Sequence, residues 1–413
     1  MEFSLHTKDV YASLKIGDFR RFVSARFLFT LAVQMQSLIV GWQIYQLTHD
    51  ALALGLIGMF EAVPYISIAL FAGHVADRVD RKKIILLANS AYFICAAALL
   101  LVSTQFHPVL AIYGTLPIYV IIFITGLARG FLSPAQSALA AQLVPRELFG
   151  NASTWNSVAW QIAAVTGPAI GGLVYGFFGI GPAYALVILL SLTSLAFFYF
   201  VKKKPMPDRT MEENIWQSLS SGLKFVFRNQ IILSAISLDM FAVFFGGAVS
   251  VLPIFADQVL NIGAEGLGLL RAAPAVGAII MSLVQVYKPP FKNAGRNLLV
   301  CVFGFGVSMI MFAISQNFYL TLFILMLSGM FDNVSVIIRS TIMQVYTPDA
   351  MRGRVSSVNG IFIGSSNELG SFESGVAAKL MGLIPSVIFG GSMTLGVVAA
   401  VGNLAPKLRA LKL

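Results

Sequence analysis

Among the ionisable residues inside long apolar stretches of this 413-residue chain are Glu61, Arg129, Asp239, Arg271, Asp332, Arg339, Glu368 and Glu373. Charged groups in such surroundings are costly and mark ion or substrate pathways by default. A carboxylate shielded from water holds its proton more readily, so Glu61, Asp332, Glu368 and Glu373 are candidate proton carriers, with Arg129 as a partner. The competing reading for each is a structural ion pair or an inter-helix hydrogen bond. Arg339 stands near a helix end, where a snorkelling side chain is the simpler expectation. Asp239 is a candidate gate residue. Gln34, Gln43, Trp155, Asn156, Gln161, Arg271 and Asn367 could line a substrate cavity; packing or interfacial roles are the alternative. Nothing has the spacing of a metal site, no cofactor is implied, and Cys95 and Cys301 both lie in apolar runs.

Only helices long enough to cross a bilayer could place these groups. The chain is 57% hydrophobic and 11% charged, against roughly 25% charged in a soluble domain. A span needs roughly 20 mostly apolar residues. Twelve are expected, at 22–46, 52–76, 83–103, 117–140, 152–176, 182–201, 231–254, 265–287, 297–315, 318–342, 356–380 and 384–404. All but five of the 28 lysines and arginines fall in alternate links and the two termini, the five being Arg26, Arg129, Arg271, Arg339 and Lys379. The positive-inside rule then puts both termini in the cytoplasm. The formal charge of +10 therefore reads as basic loops, not nucleic-acid binding. No cleavable leader is expected, since the first twenty residues are polar and charged.

The chain repeats itself. At an offset of 203 residues, Gly126 matches Gly329, Pro145 matches Pro348, Gly150 matches Gly353 and Asn156 matches Asn359. Gly167, Gly172 and Gly179 match Gly370, Gly375 and Gly382; at offset 210, Pro64 matches Pro274 and Glu61 falls opposite Arg271. This divides the chain into a bundle at 1–201, a cytoplasmic linker with an amphipathic helix at 202–230, and a second bundle at 231–413. Repeated halves around a midplane site are the architecture of alternating access. An Arg129–Asp332 contact and a Glu61–Arg271 pair are both conceivable across the repeat.

The hairpin after the second span reads Gly73-His74-Val75-Ala76-Asp77-Arg78-Val79-Asp80-Arg81-Lys82-Lys83. It resembles the Gly-x-x-x-Asp-Arg-x-x-Arg-Arg/Lys-Arg/Lys signature of the major facilitator superfamily. The resemblance implies an all-α integral membrane protein of twelve helices in two six-helix bundles. It also implies a conformational gate of Gly73, Asp77, Arg78, Arg81 and Lys82, with Asp77 on the N-terminus of the eleventh helix. The second-half counterpart, Tyr287 to Arg296, lacks the acid. Gly167-Pro168-Ala169-Ile170-Gly171-Gly172 is similar to the packing core of the antiporter motif in drug–proton exporters. Thr347–Val355 and Ser366–Gly375 look like the branch containing macrolide and enterobactin exporters. Arg129 resembles the fourth-helix arginine linked to proton transfer, although Ser133-Pro134 replaces the usual Gln-Gly. The implied function is proton-coupled efflux of amphipathic small molecules, by a monomer among lipids of a bacterial inner membrane. A dedicated siderophore exporter is the alternative; a lipid-acting membrane enzyme or a non-transporting sensor is the remote one. There is no ATPase loop, so the energy source is an ion gradient.

Overall fold

In hydrocarbon every backbone polar group must be paired within the chain, which leaves helices as the economical solution for apolar runs of this length. The computed structural model describes residues 9–104, 107–204, 215–288, 290–348 and 351–412, and these contain helices and no strand. The long helices, in order, are α1 (Gly17–Thr48), α2 (Ala51–Arg78), α3 (Arg81–Thr104), α4 (Leu116–Leu143), α5 (Phe149–Phe178) and α6 (Ile180–Tyr199). A shorter helix at Ile215–Arg228 leads into α7 (Gln230–Gly246), α8 (Ala264–Tyr287), α9 (Ala294–Ile314), α10 (Phe318–Tyr346), α11 (Arg352–Met381) and α12 (Leu383–Leu404).

Local chemistry sets the breaks. Asp50 accepts from the Leu52 amide to start α2, and Asn229 and Asn317 cap α7 and α10 in the same way. Gly179 and Gly382 turn with φ of 82° and 91° between α5 and α6 and between α11 and α12, conformations that favour glycine. These two are partners in the 203-residue repeat.

Among the described residues, eleven helices are long and apolar enough to cross a membrane. The remaining expected span, α11, is a 30-residue helix that falls below that apolarity. The reason is visible in its packing. It lies against α2, α7 and α12, and Asn367, Glu368 and Ser371 face an internal cavity. A helix screened from lipid on most of its surface has no need of an apolar circumference.

The repeat in sequence is a repeat in packing. A Cβ at Gly126 of α4 would lie 2.6 Å from the Glu61 carbonyl and 2.8 Å from Pro64 of α2. Its partner Gly329 of α10 abuts Pro274 of α8 in the same manner. Gly172 of α5 meets Gly268 of α8, while its partner Gly375 of α11 meets Gly55 of α2. The first pair of contacts lies within each half; the second pair joins the halves.

Three buried clusters organise the interior. One draws on both halves, from Leu31–Leu54 of α1 and α2 to Val251–Ala273 and Met309–Leu325. It occupies the end of the bundle farthest from the chain termini. The other two lie at the termini-bearing end, and each stays within one half: Phe19 to Val201 in one, Val226 to Leu411 in the other. The halves therefore share one cluster at the far end, whereas among the described residues each cluster at the termini-bearing end stays within one half.

Candidate functional site

Residues of both halves line a cavity of about 520 Å³, a size suited to a small organic ligand. Its walls come from α1, α2, α3, α4, α5, α7, α8 and α11. Where α7 borders it, the helix gives way after Gly246 to a 3₁₀ turn at Ala248–Val251 and a π turn at Phe255–Val259. Gly247, Val249, Ser250 and Pro253 of this irregular stretch line the cavity. Non-helical backbone at membrane depth is tolerated where it borders such a space.

One arginine ties the two halves together inside the cavity. Arg129 Nη1 of α4 donates to Glu61 Oε1 of α2 at 2.6 Å and to Glu368 Oε1 of α11 at 2.7 Å. Its guanidinium also stands 5.3 Å from the ring centre of Tyr65, one turn beyond Glu61. Gly58 makes the approach of α11 possible, since a Cβ there would lie 2.6 Å from the Glu368 carbonyl. One cation thus serves two carboxylates.

Two further arginines line the cavity without an acidic partner among the described residues. Arg26 Nη1 donates to Asn156 Oδ1 at 3.3 Å, and Arg271 Nη2 donates to Ser37 Oγ at 3.2 Å. The charged lining is Arg26, Arg129, Arg271, Glu61 and Glu368, so cations exceed anions. Such a cavity favours an anion.

Of the residues expected from sequence, Gln34, Glu61, Arg129, Arg271, Asn367 and Glu368 meet at this cavity. Asn156 reaches it through Arg26. Gln43 does not: it is buried between α1, α3 and α6, donating to Ser103 and accepting from Tyr184. Trp155 is also displaced, donating to the Val10 carbonyl at the termini-bearing end. Gln161 stands outside the lining, as do Asp332 and Glu373. Glu373 makes no hydrogen bond or ion pair among the described residues. Neither cross-repeat pair forms, because Glu368 and Glu61 already occupy Arg129.

Arg339 does not snorkel. It is buried in an ion pair with Asp239, their side chains 10% and 8% exposed. That pair links α10 to α7 within the second half, so the ionic contact of Asp239, expected as a gate residue, lies inside one half. Arg81 Nη1 donates to the Ala138 carbonyl of α4 at 3.4 Å, and Lys82 Nζ to the Tyr199 carbonyl at 2.6 Å. Gly73 and the side chains of Asp77 and Arg78 lie outside what the structure describes. Gly167 fits against Gln34 of α1, Pro168 and Gly172 against Gly268 of α8, and Gly171 against Met35. Sequence reasoning missed Tyr65, Ser37 and Gln136. Tyr65 carried a signal, being four residues from Glu61 and hence on the same helical face.

The far end is closed by two bonds between halves. Lys379 Nζ of α11 donates to Asp50 Oδ2 at 2.9 Å, and Tyr45 OH of α1 donates to Asp257 Oδ2 at 2.6 Å. The hydrogen bond from Lys379 holds the Asp50 carboxyl below the ordinary aspartate value of 3.8. A depressed value means that the closing contribution is complete above 3.8 and is lost as pH falls through the lower value. Near neutrality this latch is insensitive to pH. Lys379 is about half exposed, so the pair contributes at most about 1 kcal/mol. Lys379→Gln is expected to shift far-end accessibility, read by labelling of a single introduced cysteine, by about fivefold or less, equally at pH 6 and pH 8. A tenfold change confined to one pH contradicts this.

Two repeated helical halves, joined at one end around a charged cavity, define a membrane transporter of the major facilitator type. The chain belongs to the family described as transmembrane secretion effector, whose pattern matches residues 8–412. Among its relatives is the enterobactin exporter EntS of Shigella flexneri, 27% identical over 347 residues, covering 82% of this chain and 80% of that one. The EntS protein of Shigella boydii serotype 18 is 28% identical over the same extent. Similar solved folds include a POT family transporter in complex with 5-aminolevulinic acid, with a TM-score of 0.76, 12% identity, and 94% and 96% of the two chains covered. A bacterial homologue of the human lysosomal transporter Spinster gives 0.72 at 15% identity, covering 97% and 98%.

Proposed function

We propose that this chain exports amphipathic small molecules, anionic ones in preference, in exchange for protons across a bacterial inner membrane. The supporting observation is Arg129 held between Glu61 and Glu368, carboxylates of opposite halves. In this reading twelve helices span the membrane, the termini are cytoplasmic, and the cavity opens to the cytoplasm. A monomer suffices, because one chain supplies both halves.

The coupling follows from the charge count at Arg129. Two carboxylates on one guanidinium carry a net negative charge, which a proton on either one balances. A proton on Glu368 weakens its bond to Arg129 and with it the hold of α4 on α11. Because α11 also closes the far end against α2, protonation changes the balance between the two openings, and exchange requires that the protonated carrier return to the cytoplasm-facing one. A ligand shifts such an equilibrium only by binding the two states differently. A substrate anion meets this condition by attracting Arg26 and Arg271, which lack acidic partners.

Proteoliposomes decide the matter. Flux is expected to follow an imposed pH gradient, and Glu368→Gln is expected to abolish that dependence. Flux indifferent to the gradient in the unsubstituted protein rules out proton coupling. A dedicated siderophore exporter is the second reading, favoured by the cationic surplus and by the likeness to enterobactin exporters. Competition separates the two: a catecholate siderophore should block efflux of the test substrate, and a lipophilic cationic dye should not.

A further inference from the structure

On its outer side α1 packs between α5 and α6. At the termini-bearing end this side holds a second cavity of about 480 Å³, lined by Leu14, Val23, Phe27, Val158, Ile162 and Phe197 among others. It shares no residue with the central cavity, whose α1 residues fall on the opposite face of that helix. The lining is almost wholly apolar. In a membrane protein an apolar slot on the outer wall is filled by hydrocarbon, so its occupant is an acyl chain.

The mouth of the slot has a distinct chemistry. Arg20, in the first turn of α1, is exposed and makes no ion pair or hydrogen bond among the described residues. Its neighbours are otherwise engaged: Lys15 with Asp9, and Arg21 and Lys204 with Asp18. Phe27, seven residues on, lies about 10 Å deeper along the helix. The slot is also built in advance. Ser13 donates to Asn151 Oδ1, Trp155 Nε1 donates to the Val10 carbonyl, and Tyr11 lies over Trp155 at 5.6 Å. These bonds fix the segment from Asp9 to Lys15 over α5, with Leu14 in the wall.

We propose that this slot binds an anionic phospholipid, with an acyl chain between α1, α5 and α6 and the phosphate on the Arg20 guanidinium. A guanidinium matches two phosphate oxygens at once, and juxtamembrane basic groups attract anionic lipid. The inference is independent of what the central cavity carries.

The test uses the full chain purified in a neutral detergent, with phosphatidylglycerol, phosphatidylcholine or inorganic phosphate added, and reads the thermal unfolding midpoint. Phosphatidylglycerol is expected to raise it by about 2 °C or more. Phosphatidylcholine and phosphate alone should not. Arg20→Gln should remove most of the rise. Val158→Trp, which fills the slot and leaves Arg20 in place, should remove it as well and covers the case that the arginine variant fails to fold. Equal stabilisation by phosphatidylcholine, or an undiminished shift in either variant, overturns the proposal. A shift reproduced by phosphate alone overturns it too, because it makes Arg20 a simple anion site.

Discussion

Replacing Arg129 with alanine should reduce transport by on the order of a hundredfold, and replacing it with lysine should lower turnover more than substrate affinity. The arginine makes two charge-assisted hydrogen bonds, to Glu61 and Glu368. Such bonds contribute about 1.5–3 kcal/mol each, and about 1.4 kcal/mol is a factor of ten. Alanine leaves two carboxylates facing each other across the halves with no cation between them. The state in which α2 and α11 approach then becomes the costly one. Lysine keeps the charge, but a point ammonium cannot stack on Tyr65 and hold both acids in one plane. The measurement is substrate flux in proteoliposomes, with turnover and half-saturation determined separately. Alanine at the rate of the unsubstituted protein would remove Arg129 from the mechanism.

The second large effect separates two kinds of glycine. A Cβ at Gly375 would stand 2.6 Å from the Gly55 Cα and 2.8 Å from the Ala51 carbonyl. These are backbone atoms of the other half, and they cannot rotate away. Gly375→Val should therefore hold the far end open and lower flux at least about tenfold, since that contact joins the halves only where they are closed. Gly329 abuts Pro274 inside the second half, a contact that no rocking of the halves relieves. Gly329→Ala should instead lower stability by about 1–3 kcal/mol, the cost of overpacking, with nearly normal flux per folded molecule. Spin-label distances across the far end, combined with thermal unfolding, distinguish the two. A widened far end in Gly329→Ala, or none in Gly375→Val, defeats the argument.

The cavity arginines show how much of the site was legible. Arg129 and Arg271 stood out in the sequence because an ionisable group in an apolar run is conspicuous. Arg26 was counted among the basic residues inside spans but not among the cavity candidates, yet it lines the cavity. Arg339 read as snorkelling and proved to be paired with Asp239. In each case the residue type was informative and the direction of its side chain was not. Rotation about a helix axis is set by packing, and the helices here carry apolar residues on most faces, which removes the periodic signal that would reveal it.

Composition and the 203-residue repeat, by themselves, determined a helical membrane protein with two related halves. The same glycines and prolines recur because each half packs its second and fourth helices in the same way: Pro64 on Gly126, Pro274 on Gly329. The hairpin at Gly73–Lys83 placed the chain in its superfamily. Only the tertiary structure decided which charges meet. By repeat position Arg129 belonged opposite Asp332 and Glu61 opposite Arg271, whereas Arg129 bridges Glu61 and Glu368. Equivalence under a repeat relates positions by symmetry; contact depends on which faces the two halves turn toward each other. The polar face of α11 and the bond from its Glu368 to Arg129 are products of that docking, and so lie beyond what any local pattern of residues encodes.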